Sequence, residues 1–121
     1  MRRILVVDDN EDILEILKLI LEGYNYEVIT LADGNLLFDQ IKEFQPNLIL
    51  LDIMLGNMDG RELCKIVRST KETHHIPIIL VSASHDLSER IMPAGSHIDF
   101  LAKPFDIIEL IDKVENNLSA A

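Results

Sequence analysis

The chain has a single cysteine, Cys64, so no internal disulfide can form. A soluble protein in a reducing, cytoplasmic setting is expected. No apolar run approaches the roughly 18 residues of a membrane-spanning helix. The opening "MRRILVVDDN" has two arginines, but its apolar stretch meets two aspartates too soon for a signal peptide. Basic residues are scarce: 11 Lys and Arg stand against 21 Asp and Glu, a net charge of −10. That balance argues against nucleic-acid binding by this surface and suits cations or basic partners. There is no internal repeat, low-complexity tract or linker, so residues 1–121 read as one domain. Hydrophobic residues make up 48 %, enough for one core.

The apolar residues fall into short runs separated by helical patterns. "RILVV", "YEVITL", "NLILLD", "IPIILVS" and "DFLAK" read as strands, the first buried on both faces. Between them lie amphipathic stretches. In the first helix Ile13, Ile16, Leu17, Ile20 and Leu21 share one stripe, with Asn10 to cap it and Gly23 to stop it. The second places Leu37, Ile41 and Phe44 inward, and Pro46 follows it. The third places Leu63, Ile66 and Val67 inward, and the last Ile107, Leu110, Ile111 and Val114. A weak fourth helix, "SHDLSERIM", has mainly Leu87 and Ile91 to bury, and Pro93 and Gly95 halt it. Five strands alternating with five helices predict an α/β fold, a parallel sheet covered on both faces. In such sheets ligands sit beyond the carboxyl ends of the strands.

The run "NLILLDIML" aims one acid, Asp52, out of the greasiest part of the chain. Burying a lone carboxylate is costly unless it is paired. The other strand ends carry Asp8 and Asp9, Ser82, and Lys103 followed by Pro104. Each alone has a plain explanation: Asp8 and Asp9 as helix caps, Ser82 bonded to nearby backbone, Lys103 in solvent. Their joint placement at strand ends predicts one crevice holding three acids, a hydroxyl and a lysine. Clustered carboxylates repel and invite a cation, and an all-oxygen donor set suits Mg²⁺. A lysine and a hydroxyl facing the same point suit an anion. A metal, a lysine and a hydroxyl around one carboxylate can place a phosphoryl group on that carboxylate.

The sequence resembles the receiver domain of bacterial response regulators over essentially its whole length. "ILVVDDN", "LILLDIML…MDG", "PIILVSA" and "DFLAKPF" match that family's motifs in order. The resemblance implies a flavodoxin-like, doubly wound sheet of order 2-1-3-4-5. It also implies Asp52 as phosphoacceptor and a Mg²⁺ site at Asp8, Asp9, Asp52 and the Met54 backbone carbonyl. Asp9 would hold the ion directly and Asp8 mainly through water. Ser82 would hydrogen-bond the phosphoryl group, Lys103 would pair with it, and Phe100 would be the switch aromatic. The donor would be a sensor histidine kinase or a histidine phosphotransfer protein, and a downstream protein would read the altered surface near the fourth helix and fifth strand. Such a domain catalyses its own phosphorylation and dephosphorylation and is not a metabolic enzyme.

Departures from the family pattern are few. Gly56 stands where the family often has proline, and it is expected to loosen that loop. "GSHID" puts one extra residue between Gly95 and Phe100. The Lys103–Pro104 bond is expected to be cis, because the lysine must point inward while the chain turns at once into the last helix. His74, His75, His85 and His97 lack ligand spacing to one another and read as surface residues.

Three other functions compete. An aspartyl-intermediate phosphohydrolase wants a second carboxylate two residues after the nucleophile, where Met54 stands. A nucleotide or flavin module wants a glycine- or hydroxyl-rich loop after the first strand, where "DDNED" would repel phosphate. An unphosphorylated interaction module of the same fold would be expected to lose parts of the site, yet all five side chains are present.

Overall fold

A computed structural model describes residues 1–83 and 98–120. Five strands form one parallel sheet: β1 (Arg3–Val7), β2 (Glu27–Leu31), β3 (Leu48–Asp52), β6 (Ile78–Ser82) and β7 (Ile98–Ala102). Their order is β2-β1-β3-β6-β7, which is 2-1-3-4-5 when only these five are counted. β1 and β3 are central, and Leu5 pairs with Ile29 on one side and Ile49 on the other. Both faces of such a strand meet apolar layers, which is why their sequences are continuously hydrophobic rather than alternating. Successive side chains still point to opposite faces. Ile4, Val6, Leu50, Ile79 and Val81 pack in one core layer, while Leu5, Val7, Ile49, Leu51, Ile78 and Leu80 pack in the other.

The first layer is closed by α1 (Glu11–Gly23) and the C-terminal helix (Ile107–Ala120). The side chain of Asn10 accepts from the amides of Asp12 and Ile13, and Glu11 and Asp12 sit in the positive first turn of α1. The helix buries Leu14, Leu17 and Leu21. Burying a leucine contributes roughly 1.5–3 kcal/mol, so these three anchor the helix. The expected stripe needs one correction: Ile16 is 53 % exposed, and Leu14 takes the inward place. Apolar residues crowd this helix, so spacing alone fits more than one stripe. The C-terminal helix buries Leu110, Ile111, Val114 and Leu118. Ile107, expected inward, is the first residue of the helix and is 46 % exposed.

The second layer is closed by α2 (Leu37–Phe44) and α3 (Gly60–Ser69). A short 3₁₀ turn, Gly34–Leu36, leads into α2 and is capped by Asp33. Leu37, Ile41 and Phe44 face the core. Gln45, in the left-handed conformation at φ 51°, ends α2 just before Pro46. Asp59 caps α3 by accepting from the Arg61 amide. Leu63, Cys64 and Val67 are buried, whereas Ile66 is 48 % exposed. Cys64, small and apolar, occupies the inward place expected for Ile66.

Between β3 and α3 the chain forms a small antiparallel hairpin, β4 (Met54–Leu55) with β5 (Met58–Asp59). The four α-helices named are those among the described residues. The expected fourth helix, with His85, Leu87, Ile91, Pro93, Gly95 and His97, lies outside them, as does the output face proposed there. His74 and His75 are exposed. Among the described residues no helix is long and apolar enough to cross a membrane.

Candidate functional site

The carboxyl ends of the strands deliver the acids to one place. β1 ends at Val7, and Asp8 continues its ladder by donating its amide to the Leu31 carbonyl at 3.1 Å. Asp52 is the last residue of β3, and Ile53 donates to the Val81 carbonyl at 3.0 Å. Lys103 follows β7 directly and donates its amide to the Ser82 carbonyl at 2.8 Å. The Lys103–Pro104 bond is cis. Backbone pairing therefore fixes each position before any side-chain contact is made.

Asp8, Asp9 and Asp52 each offer a carboxylate oxygen, and these oxygens lie within 4.8 Å of one another. Asp8 is 2 % exposed and Asp52 5 %, while Asp9 faces solvent. Lys103 Nζ lies 3.0 Å from Asp8 Oδ2 and 3.4 Å from Asp52 Oδ1. The Asn10 amide donates to Asp8 Oδ1 at 2.9 Å, so the residue that caps α1 also orients this carboxylate. Burial, reinforced by the charge of Asp8, pushes the Asp52 carboxyl up to about 6; Lys103 and the Met54 amide pull it back. Burial alone would lower Lys103, but its bonds and charge contacts with Asp8 and Asp52 outweigh that and raise it.

The hairpin after Asp52 closes the other side. The Gly56 amide donates to Asp9 Oδ2 at 3.0 Å, and Gly56 has φ +60°. Positive φ at the first of two turn residues suits a type II′ hairpin, which favours glycine there. The loop is a two-residue turn whose Gly56 amide contacts Asp9. Gly-Asn as a two-residue loop between Met54-Leu55 and Met58-Asp59 is the signal that could have revealed it. At the start of α3, a side chain on Gly60 would overlap the Asp52 carbonyl oxygen, and the Gly60 amide donates to the Ile53 carbonyl at 2.7 Å. Gly60 lets α3 approach the end of β3, a requirement of contact that sequence spacing does not show.

The remaining expected residues lie around this cluster. Ser82 closes β6, next to Val81, which pairs with Asp52. Phe100 sits half-buried on β7 opposite Leu80. Met54 lies on β4 opposite Asp59, its side chain turned to solvent. The structure brings together Asp8, Asp9, Asp52 and Lys103 by side-chain distance, and Ser82 by strand position. All three acidic donors are hard oxygens without histidine or cysteine, the chemistry that Mg²⁺ prefers.

Comparison with known proteins gives a consistent result. Residues 4–115 match the response regulator receiver domain family. The nisin biosynthesis regulatory protein NisR of Lactococcus lactis subsp. lactis is 43 % identical over 118 residues, covering 96 % of this chain and 50 % of NisR. The chain therefore spans about half the length of the curated relatives it matches. A response regulator from Chloroflexus aurantiacus J-10-fl superposes with a TM-score of 0.87 at 38 % identity, covering 98 % of both chains. The receiver domain of sensor histidine kinase PA1611 from Pseudomonas aeruginosa PAO1, solved with a magnesium ion in its active-site cleft, superposes with a TM-score of 0.85 at 26 % identity, covering 98 % of both chains. With its parallel sheet, its acids at the strand ends and its match along nearly the whole length, the chain belongs to the response regulator receiver domain family.

Proposed function

We propose that this chain is a phosphoryl-accepting signalling switch whose acceptor is Asp52. The observation that carries the reading is the convergence of Asp8, Asp9 and Asp52 with Lys103 at the ends of the parallel strands. The donor is the phosphohistidine of a sensor histidine kinase or a histidine phosphotransfer protein. A carboxylate oxygen of Asp52 attacks phosphorus, the phosphorus–nitrogen bond breaks, and the imidazole leaves with the bonding pair. The product is an acyl phosphate on Asp52, which water later hydrolyses.

The donor set fits Mg²⁺. Asp9 would hold it directly, Asp8 mainly through water, and Asp52 and the Met54 carbonyl would complete the protein's share. The ion supplies positive charge that offsets the carboxylates and the phosphoryl oxygens. The chain's own residues do the rest. Asp52 stands at a strand end with its backbone paired, so the nucleophile is held in place before the donor arrives. Lys103, already between Asp8 and Asp52, needs only a small shift to pair with the phosphoryl group. Ser82 donates its hydroxyl to that group, and Phe100 on the neighbouring strand responds to the movement.

Residues 1–121 act as one receiver domain. Its output passes to a downstream protein or to a further domain of the same regulator. Its acidic surface, at −10, suits that role better than direct contact with nucleic acid. The buried, free Cys64 supports a reducing, cytoplasmic location.

Thermal melting tests the reading. Ligand that binds only the folded state stabilises it by about 2.7 kcal/mol at a hundredfold excess over its Kd. Mg²⁺ should raise the melting temperature, and Asp9→Asn should diminish the rise. Beryllofluoride with Mg²⁺ should raise it further only when Asp52 is intact. No shift with either addition would remove the reading.

A further inference from the structure

We propose that the backbone amide of Gly56 is a positioning group for Asp9 and sets the affinity of the acidic cluster for its divalent cation. The inference rests on the metal reading above. Asp8 and Asp52 share Lys103, and Asp8 also accepts from the Asn10 amide. Asp9 is placed differently. It is exposed, and among the described residues the Gly56 amide, at 3.0 Å, is the one donor on its carboxylate. An exposed aspartate without such a partner samples several rotamers, and a cation must then select one of them.

The donor is itself held. Met54 pairs with Asp59 and Leu55 with Met58, leaving Gly56 and Asn57 as the whole turn. Gly56 takes φ +60° there, and that conformation points its amide across the crevice to Asp9 Oδ2. The base of the hairpin is pinned on both sides. Asp59 caps α3 and pairs with Arg61 at 2.7 Å, and a side chain on Gly34 would already crowd Leu55 and Met58. One carboxylate oxygen of Asp9 is therefore engaged by the paired turn, leaving the other for a metal. Groups that orient a metal ligand in this way commonly change affinity by roughly 10–100-fold when removed. A proline at position 56 has no N–H and could not make the contact.

The test is to delete this one N–H without changing any side chain. Cys64 permits chemical ligation of residues 1–63 to residues 64–121, so the full chain can be assembled with an ester in place of the Leu55–Gly56 peptide bond. Mg²⁺ binding is read by isothermal titration calorimetry, alongside melting in EDTA. The ester chain should bind Mg²⁺ about tenfold more weakly than the unaltered chain. Gly56→D-Ala keeps both the amide and the positive φ and should bind normally. In an Asp9→Ala background the ester should cause no further loss. Equal affinity of the ester and unaltered chains would overturn the proposal. So would a further loss in the Asp9→Ala background, since the ester would then act through the hairpin and not through Asp9. If the unaltered chain binds no Mg²⁺, the metal reading itself fails and takes this inference with it.

Discussion

Lys103 Nζ lies 3.0 Å from Asp8 Oδ2 and 3.4 Å from Asp52 Oδ1, so one ammonium group holds two buried carboxylates together. Without it, two buried like charges would face each other. The pair contact comes from residues far apart in sequence and from strands that are not neighbours: Asp8 follows β1 and Lys103 follows β7. It therefore depends on the whole sheet being in register.

Lys103→Met should destabilise the chain in EDTA at pH 7 by about 3 kcal/mol, the low end for breaking a buried ion pair by removing one partner. The same substitution should tighten Mg²⁺ binding, because the cluster loses its internal cation and gains net negative charge. Urea unfolding with and without Mg²⁺ measures both effects. A variant that loses stability equally under both conditions would contradict the assignment.

The raised carboxyl of Asp52 makes a pH prediction. Its folded value is about 6 against an ordinary 3.8, so between these values the folded chain holds more protons than the unfolded one. Stability contributed by this group is therefore present below about pH 4 and is lost as the pH rises to about 6. Above pH 6, in EDTA, Asp52→Asn should be more stable than the unaltered chain by on the order of 2 kcal/mol. At pH 4 the difference should shrink towards zero. Denaturant titrations of the two chains across pH 4–8 provide the comparison. A gap that widens as the pH falls would contradict the burial argument.

Two glycines should respond in opposite ways to alanine. Gly60→Ala drives a methyl into the Asp52 carbonyl at the point where α3 meets β3, against the backbone of Asp52 and Ile53, which cannot swing aside as a side chain can. The loss should reach the upper end of the roughly 1–3 kcal/mol that overpacking costs. Gly23 has nothing within 4 Å of the added atom, so Gly23→Ala at the end of α1 should be neutral or stabilise by up to about 1 kcal/mol. Midpoints of urea unfolding distinguish them.

The sequence made the sheet and the site legible for a shared reason. Continuous apolar runs such as "LILLD" identify strands covered on both faces, and whatever follows such a run must emerge at the sheet's edge. Asp8, Asp52 and Lys103 could be placed in this way. The inward faces of helices were less legible. "EILKLIL" offers apolar residues at nearly every helical angle, so Ile16 was expected inward where Leu14 is found. In α3 the stripe Leu63, Ile66 and Val67 follows from helical spacing, yet Cys64 is buried and Ile66 is 48 % exposed. The β4–β5 hairpin has two-residue strands, too short for any period to show. The contact between Gly56 and Asp9 spans 47 positions, and no local pattern encodes it.

The central claim is that Asp52 accepts phosphoryl, and intact-protein mass spectrometry tests it most directly. The chain is incubated with Mg²⁺ and a small acyl phosphate donor, and the adduct is then located by fragmentation. The account predicts one phosphoryl group per chain, carried on Asp52, released by hydroxylamine, and absent in EDTA and in Asp52→Asn. An unmodified wild-type chain under these conditions, or an adduct undiminished in Asp52→Asn, would contradict it.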